Sequence, residues 1–279
     1  MTRQSEEKFN LLDHRSKSGV AYLHPGGRVL SNYAIRQLQL GNNMYVLEIG
    51  CGTGATLADL AMQPGLHITG TDISAAMLSM AEKRIRYCSL RDKIRLLLIK
   101  PDGKLPFAGH SFDAVYAESV LAIVQEQVLP VLLSEIFRVL KPGGRMITID
   151  AVWKKETDPG QIRQINQQCL HDFGLIQSLA QPQSVADWQK AFGQAGFASI
   201  STLQIYPGTI TDVSEKIPNK KSHRFTRLKK LSLLLNPGLW YYQLKSAFLL
   251  KTKHRHDGDF LESYVFLLEK PKHASKPWI

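Results

Sequence analysis

Cysteine is scarce in this chain of 279 residues: there are three, Cys51, Cys88 and Cys169, odd in number and far apart. Without a CxxC pair or zinc-finger spacing they support neither a disulfide frame nor a structural zinc site, and no metal is expected. Long apolar runs are also missing. The longest candidates, Leu231 to Leu235 and Phe248 to Leu250, are short and are broken by Pro237, Lys245 and Lys251, far from the ~18 residues that a membrane-spanning helix needs. The first residues, Met1-Thr-Arg-Gln-Ser-Glu-Glu-Lys8, hold no apolar signal core, which predicts a cytoplasmic protein. A hydrophobic fraction of 44% with 21% charged residues excludes a wholly disordered chain.

Acidic residues are absent from one long stretch. Between Lys216 and Arg255 there are eleven lysines and arginines and no Asp or Glu. The other 24 basic residues are matched by 24 acidic ones, so this segment carries the whole net charge of +11. An excess so localised points to an anionic partner or surface and says nothing of the fold.

What the sequence does contain is alternation. Val29 to Leu40 has a helical apolar stripe, and Met44 to Ile49 reads as a buried parallel strand. A helix over Thr53 to Met62 follows, then a strand over Leu66 to Thr71, a helix from Ser74 to about Leu90 and a strand over Ile94 to Ile99. Phe112 to Ala117 predicts a fourth strand, Val128 to Leu140 a helix ended by Lys141-Pro-Gly-Gly144, and Arg145 to Val152 a fifth strand. Asp158-Pro159 is a helix start, after which Ile162 to Leu179 keeps one face apolar. A short helix over Ser184 to Ala195 and strands over Phe197 to Tyr206 and Ser263 to Glu269 complete the pattern. Strands alternating with helices at this spacing predict an α/β fold with a mainly parallel sheet and helices on both faces, its ligand beyond the carboxyl ends of the strands.

The chemistry centres on Val46-Leu-Glu-Ile-Gly-Cys-Gly-Thr-Gly54. A strand runs straight into glycines that let the backbone turn sharply and approach a ligand. A second strand about 20 residues on ends in Asp72, where a carboxylate can accept both hydroxyls of a ribose. The spacing is GxGxG rather than the GxGxxG of a dinucleotide site. The tighter loop leaves less room for a pyrophosphate and suits a nucleoside with an amino-acid tail.

These residues resemble the class I S-adenosylmethionine-dependent methyltransferases, in the small-molecule branch similar to ubiquinone- and menaquinone-biosynthesis enzymes. The resemblance is carried by Leu47 to Gly54, Thr71-Asp-Ile-Ser74, Leu105 to Asp113 and Glu135 to Gly144, with a later match at Asp187-Trp188 through Phe197. It implies a Rossmann-like sheet of seven strands, the last antiparallel, with a helical cap; the basic carboxy-terminal insert over 216–255, evident from the charge count, is longer than a minimal member of that family carries. It divides the chain into a tail and cap segment (1–43), a cofactor core (44–152) and a remainder (153–279). The implied cofactor is S-adenosyl-L-methionine. Glu48 would brace the glycine loop, and Gly50, Cys51, Gly52 and Gly54 would line the methionine portion. Asp72 would bind the ribose and Ile73 would pack on the adenine. Asp102 would receive the adenine amino group, and Glu118 would face cofactor or acceptor.

Structural readings stand beside these. Cys51 is a small packing residue rather than a nucleophile, since nothing nearby marks a base for it. Asp72 competes with a helix-capping role beside Ser74, and Asp102 with a turn before Gly103. His24, Glu118 and His171 are the candidates for a general base, needed only if the acceptor is a phenol or an acidic carbon. Trp153 either lines the acceptor pocket or fills core. The expected activity is methyl transfer to a small-molecule, lipid-like acceptor; the alternatives are methylation of RNA through the basic 216–255 segment and a non-catalytic module that only binds S-adenosylmethionine. For the basic insert three readings remain: a packed, solvated helical face, an anionic membrane surface to which the protein is peripheral, and RNA. The leucines and aromatics beside the charges place membrane ahead of RNA.

Overall fold

The computed structural model describes residue 17 and residues 27–205, 219–234 and 236–272. Seven strands form one sheet: β1 (Tyr45–Ile49), β2 (His67–Asp72), β3 (Ile94–Leu98), β4 (Phe112–Glu118), β5 (Leu140–Trp153), β6 (Ala198–Ile205) and β7 (Leu261–Glu269). Their order is β3-β2-β1-β4-β5-β7-β6. The first five are mutually parallel, and β7 runs antiparallel between β5 and β6.

Eight helices accompany the sheet among the described residues: α1 (Gly27–Gln37), α2 (Ala55–Leu60), α3 (Ala75–Tyr87), α4 (Leu129–Val139), α5 (Pro159–Phe173), α6 (Val185–Gln194), α7 (Lys220–Leu234) and α8 (Pro237–Thr252). Successive residues of a strand point to opposite faces. Val46 accordingly joins a core with Leu30 and Ala34 of α1, Leu57 of α2 and Ile85 of α3. Its neighbour Leu47 joins the opposite core, with Leu132 and Ile136 of α4 and Trp188 and Phe192 of α6. A third cluster packs α5 and Leu249 of α8 around Trp153, whose indole nitrogen donates to the Leu179 carbonyl at 2.8 Å. Trp153 therefore fills core.

Several helix starts follow the sequence directly. Asp158 accepts the amides of Gly160 and Gln161, and Ser184 with Asp187 forms a reciprocal capping box. The apolar run from Ile162 is helical only to Phe173, where Gly174 adopts φ 75° and closes α5. Lys141-Pro-Gly-Gly144 is not a break between elements. β5 begins at Leu140 immediately after α4, and the Gly143 amide donates to the Lys270 carbonyl (2.7 Å) while Gly144 accepts from the Lys270 amide (2.9 Å). The left-handed Gly143, φ 77°, lets the strand start irregularly and still reach the end of β7. The basic segment resolves into α7 and α8, while Lys216 and its neighbours lie outside the described residues.

Candidate functional site

The strand order reverses direction between β1 and β4, and in such sheets this crevice, beyond the carboxyl ends, is where ligands sit. Four acidic side chains occupy those ends: Glu48 on β1, Asp72 on β2, Glu118 on β4 and Asp150 on β5.

The loop after β1 turns through three left-handed glycines, Gly50 (φ 68°), Gly52 (φ 50°) and Gly54 (φ 74°). A Cβ on Gly50 would lie 2.3 Å from Val120 Cγ2, and one on Gly54 would lie 3.0 Å from the Ala81 Cβ. Those two glycines allow close packing. A Cβ on Gly52 would meet nothing within 4 Å among the described residues, so the middle glycine is uncovered by them. The loop is tied to β2. The Cys51 amide donates to the Thr71 carbonyl (2.9 Å), and the Gly52 amide donates to Asp72 Oδ2 (2.8 Å). Asp72 Oδ1 accepts from the Ser74 amide, also at 2.8 Å. Asp72 thus braces the loop, the part expected of Glu48, while Ser74 caps α3 by accepting from the Met77 amide. Burial raises the Asp72 pKa, and the amides of Ser74, Gly52 and Ile73 oppose that rise.

Glu48 is buried, and its Oε2 has no hydrogen-bond partner among the described residues. Its carboxyl is pushed well above the usual range, first by burial and then by the negative charges of Glu118, Asp72 and Asp59. Beside it, Glu118 accepts from Ser31 Oγ on α1 (3.0 and 3.2 Å to its two oxygens) and from the Tyr116 hydroxyl (2.6 Å), with Thr56 Oγ1 at 3.5 Å. Burial, followed by the Glu118 charge, holds the Tyr116 phenol well above its ordinary pKa, so it stays a donor.

Asp150 sets the loop after β4. Its Oδ1 accepts from the Ala122 amide at 3.1 Å and its Oδ2 from Thr148 Oγ1. The held turn, Leu121–Ile123, fixes the Val120 side chain over Gly50. Burial raises the Asp150 pKa to about 7, against the lowering effect of Thr148 and of the Ala122 and Val120 amides.

The other expected residues fall as follows. Ile73, at the tip of β2 next to Asp72, is 59% exposed, an apolar side chain left uncovered at the crevice. Asp102 is exposed and accepts from the Lys104 amide at 3.0 Å, which is the turn geometry. Cys51 is buried, and burial followed by the Glu48 charge keeps its thiol protonated. His171 is a surface residue of α5 paired with Asp172 at 2.9 Å. Among the described residues its partner is Asp172 and none of the four carboxylates, so the structure does not gather it into the site. His24 lies outside the described residues. Ser31, Tyr116 and Asp150 were not singled out by the sequence reading. Tyr116 and Glu118 share a face through the period of two along β4, a signal that was there to use. Ser31 and Asp150 reach their partners from 87 and 28 residues away.

One group among the described residues could hold a metal ion: Cys169, His254 and Asp257. These side chains already satisfy one another, with His254 Nδ1 2.6 Å from Asp257 Oδ2 and 3.4 Å from Cys169 Sγ. They belong to the contact between α5 and the end of α8.

The four-carboxylate crevice fits S-adenosylmethionine. That compound carries an ammonium and a sulfonium, and Glu48 offers it an unpartnered buried oxygen in a field of negative charge. Gly52 offers backbone with space in front of it.

Comparison with known proteins agrees with this assignment. The family described as "Methyltransferase domain" matches residues 46–144. The uncharacterized methyltransferase YodH of Bacillus subtilis is 31% identical over 202 residues, spanning 70% of this chain and 78% of that protein. The demethylmenaquinone methyltransferase of Symbiobacterium thermophilum is 39% identical over 109 residues, 38% of this chain and 42% of that protein. The crystal structure of geranyl diphosphate C-methyltransferase from Streptomyces coelicolor superposes with a TM-score of 0.59 at 17% identity, covering 86% of this chain and 78% of that one.

Proposed function

The chain belongs to the class I S-adenosylmethionine-dependent methyltransferases, and on that premise we propose that it methylates a small molecule with a substantial apolar part. S-adenosylmethionine is the cofactor, and when bound it supplies an electrophilic methyl group on a sulfonium. Gly50, Cys51, Gly52 and Gly54, with Glu48, would hold its amino-acid portion. Asp72 would take the ribose, Ile73 would cover the adenine, and Asp102 would lie toward the adenine amino group. Residues 44–152 would form the cofactor core, with segments from 1–43 and 153–279 covering the acceptor.

The carrying observation is an orphaned Glu48 oxygen at the end of β1 together with an uncovered Gly52 in the loop that follows. Because the methyl group arrives activated, the protein's task is to align and to exclude water, and alignment alone can be worth an effective concentration on the order of 10⁵ M. Glu118, kept oriented by Ser31 and Tyr116, is the carboxylate placed to take a proton from an acidic acceptor. An apolar acceptor is supported by one relative, whose name is that of a demethylmenaquinone methyltransferase. The stretch Ala117-Glu-Ser-Val120 at the end of β4 also lacks the Asn/Asp-Pro-Pro-aromatic motif of enzymes that methylate nucleic-acid amino groups.

The test is release of S-adenosylhomocysteine from S-adenosylmethionine across a panel of demethylated quinones, prenyl diphosphates, polar amines and RNA oligonucleotides. The reading expects turnover with an apolar acceptor. Turnover confined to RNA or to the polar amines would overturn it.

A further inference from the structure

Helix α8 presents large apolar side chains to the surface. On a helix of 3.6 residues per turn, Trp240, Tyr241, Leu244 and Phe248 fall within one arc of about 100°. They are 49%, 63%, 58% and 64% exposed, while the same helix buries Ser246 and Leu249. A helix on a water-facing surface normally turns its apolar arc inward. Alongside it, α7 exposes Leu228 and Leu231 among exposed lysines and arginines.

This arrangement is anchored at both ends. Arg84 of α3, itself buried, donates through Nη1 to the Ser222 carbonyl (3.1 Å) and to Thr226 Oγ1 (2.9 Å) near the start of α7. At the far end, His254 sits between Asp172 of α5, 3.1 Å from Nε2, and Asp257, 2.6 Å from Nδ1. The apolar arc is presented outward by a helix pair fixed to the sheet's own helices. No helix of the described residues is long and apolar enough to cross a membrane.

We propose that α7 and α8 seat this methyltransferase on an anionic lipid bilayer, with Trp240, Tyr241, Leu244 and Phe248 entering the interfacial layer and the flanking cations facing the headgroups. Charge complementarity selects the occupant: eleven cations and no acid between 216 and 255 call for an anionic partner. The aliphatic residues select among anionic partners. A bilayer offers an apolar layer beneath its charges, whereas RNA offers phosphates and stacking bases and no burial for Leu228, Leu231 and Leu244. A second copy of the chain would bring the same basic segment to the contact. The proposal holds whatever the acceptor is, since it rests on exposed residues of α7 and α8 and on none of the residues assigned to the cofactor.

The test is flotation of the full chain with vesicles of phosphatidylglycerol and phosphatidylcholine, against phosphatidylcholine alone. Retention on the anionic vesicles is expected, weakening as salt rises, with a blue shift of Trp240 emission that is absent from Trp240→Phe. Leu244→Ser/Phe248→Ser should lose at least about tenfold in retention, and Lys230→Gln and Lys251→Gln about fivefold each. All four positions are exposed, and unchanged S-adenosylhomocysteine binding by each variant would show the fold intact and keep the outcome separate from the site assignment. The proposal is overturned by absence of retention on anionic vesicles, or by retention that survives Leu244→Ser/Phe248→Ser. It is equally overturned if that double variant abolishes self-association or single-stranded RNA binding and leaves vesicle retention as it was.

Discussion

The Gly52 amide donates to Asp72 Oδ2 across 2.8 Å, so the carboxylate at the tip of β2 and the glycine loop after β1 form one rigid unit before any ligand arrives. Asp72 has a second oxygen, held by Ser74, and each oxygen retains capacity for a further donor. Replacing Asp72 by Ala should weaken S-adenosylhomocysteine binding by roughly ten- to a hundredfold, the scale of a hydrogen bond to a charged group. Titration calorimetry reads this directly, and equal affinities for the two proteins would remove Asp72 from the site.

Arg84 joins the cofactor loop to the basic insert. Besides its bonds to α7, its Nε donates to the Thr53 carbonyl at 2.8 Å, and its guanidinium lies 4.9 Å from the centre of the Phe225 ring. Arg84→Met leaves several of these acceptors unpaired inside the protein and should cost on the order of 3 kcal/mol. Arg86, on the same helix, is exposed and makes only a 3.6 Å pair with Glu82, so Arg86→Met should change stability by less than about 0.5 kcal/mol. Urea unfolding of both variants checks the contrast; similar midpoints would contradict it.

Asp150 gives the fold a pH dependence of defined sign. Its carboxyl ionises at about 7 in the folded protein, against an ordinary value of 3.8. In the unfolded chain it ionises first, so raising the pH from about 4 to about 7 favours unfolding, and the effect levels off above the folded pKa. Stability of the wild type relative to Asp150→Asn should therefore fall over that window, by on the order of 4 kcal/mol. Denaturant unfolding at a series of pH values reads the difference. A difference that rises with pH, or stays flat, would show that Asp150 is ionised in the fold throughout.

The parts of this site that could be read from the sequence are local ones. Gly50 to Gly54 and Asp72 sit at a spacing that a strand, a tight loop and a helix impose, and the structure keeps that order. The seven strands were legible because each contains a β-branched or apolar stretch bounded by turn residues, although β5 begins at Leu140, ahead of the Arg145 that the sequence indicates. What escaped notice depends on packing between distant segments. Ser31 looks like an interruption of an apolar helix stripe until α1 is laid over the end of β4. Arg84 reads as surface charge near a helix end, yet it is fully buried because α7 folds over it from more than 130 residues away. Lys141 to Gly144 carries the residues of a helix stop, and the ladder with Lys270 converts it into strand. The charge of the insert was evident from composition. The outward turn of Trp240 and Phe248 required knowing which side of α8 the rest of the protein covers.

The most direct test of the account is calorimetric titration with S-adenosylhomocysteine of the wild type beside Gly52→Ala. A Cβ at Gly52 meets no atom of the described residues within 4 Å, and its left-handed backbone, φ 50°, should cost only about 1–2 kcal/mol of stability. The account predicts a Gly52→Ala protein that folds with a modestly lowered unfolding midpoint and gives no binding heat, because the added methyl stands where the ligand lies. A folded Gly52→Ala protein that binds as tightly as the wild type would show that the space in front of that glycine is not the cofactor's.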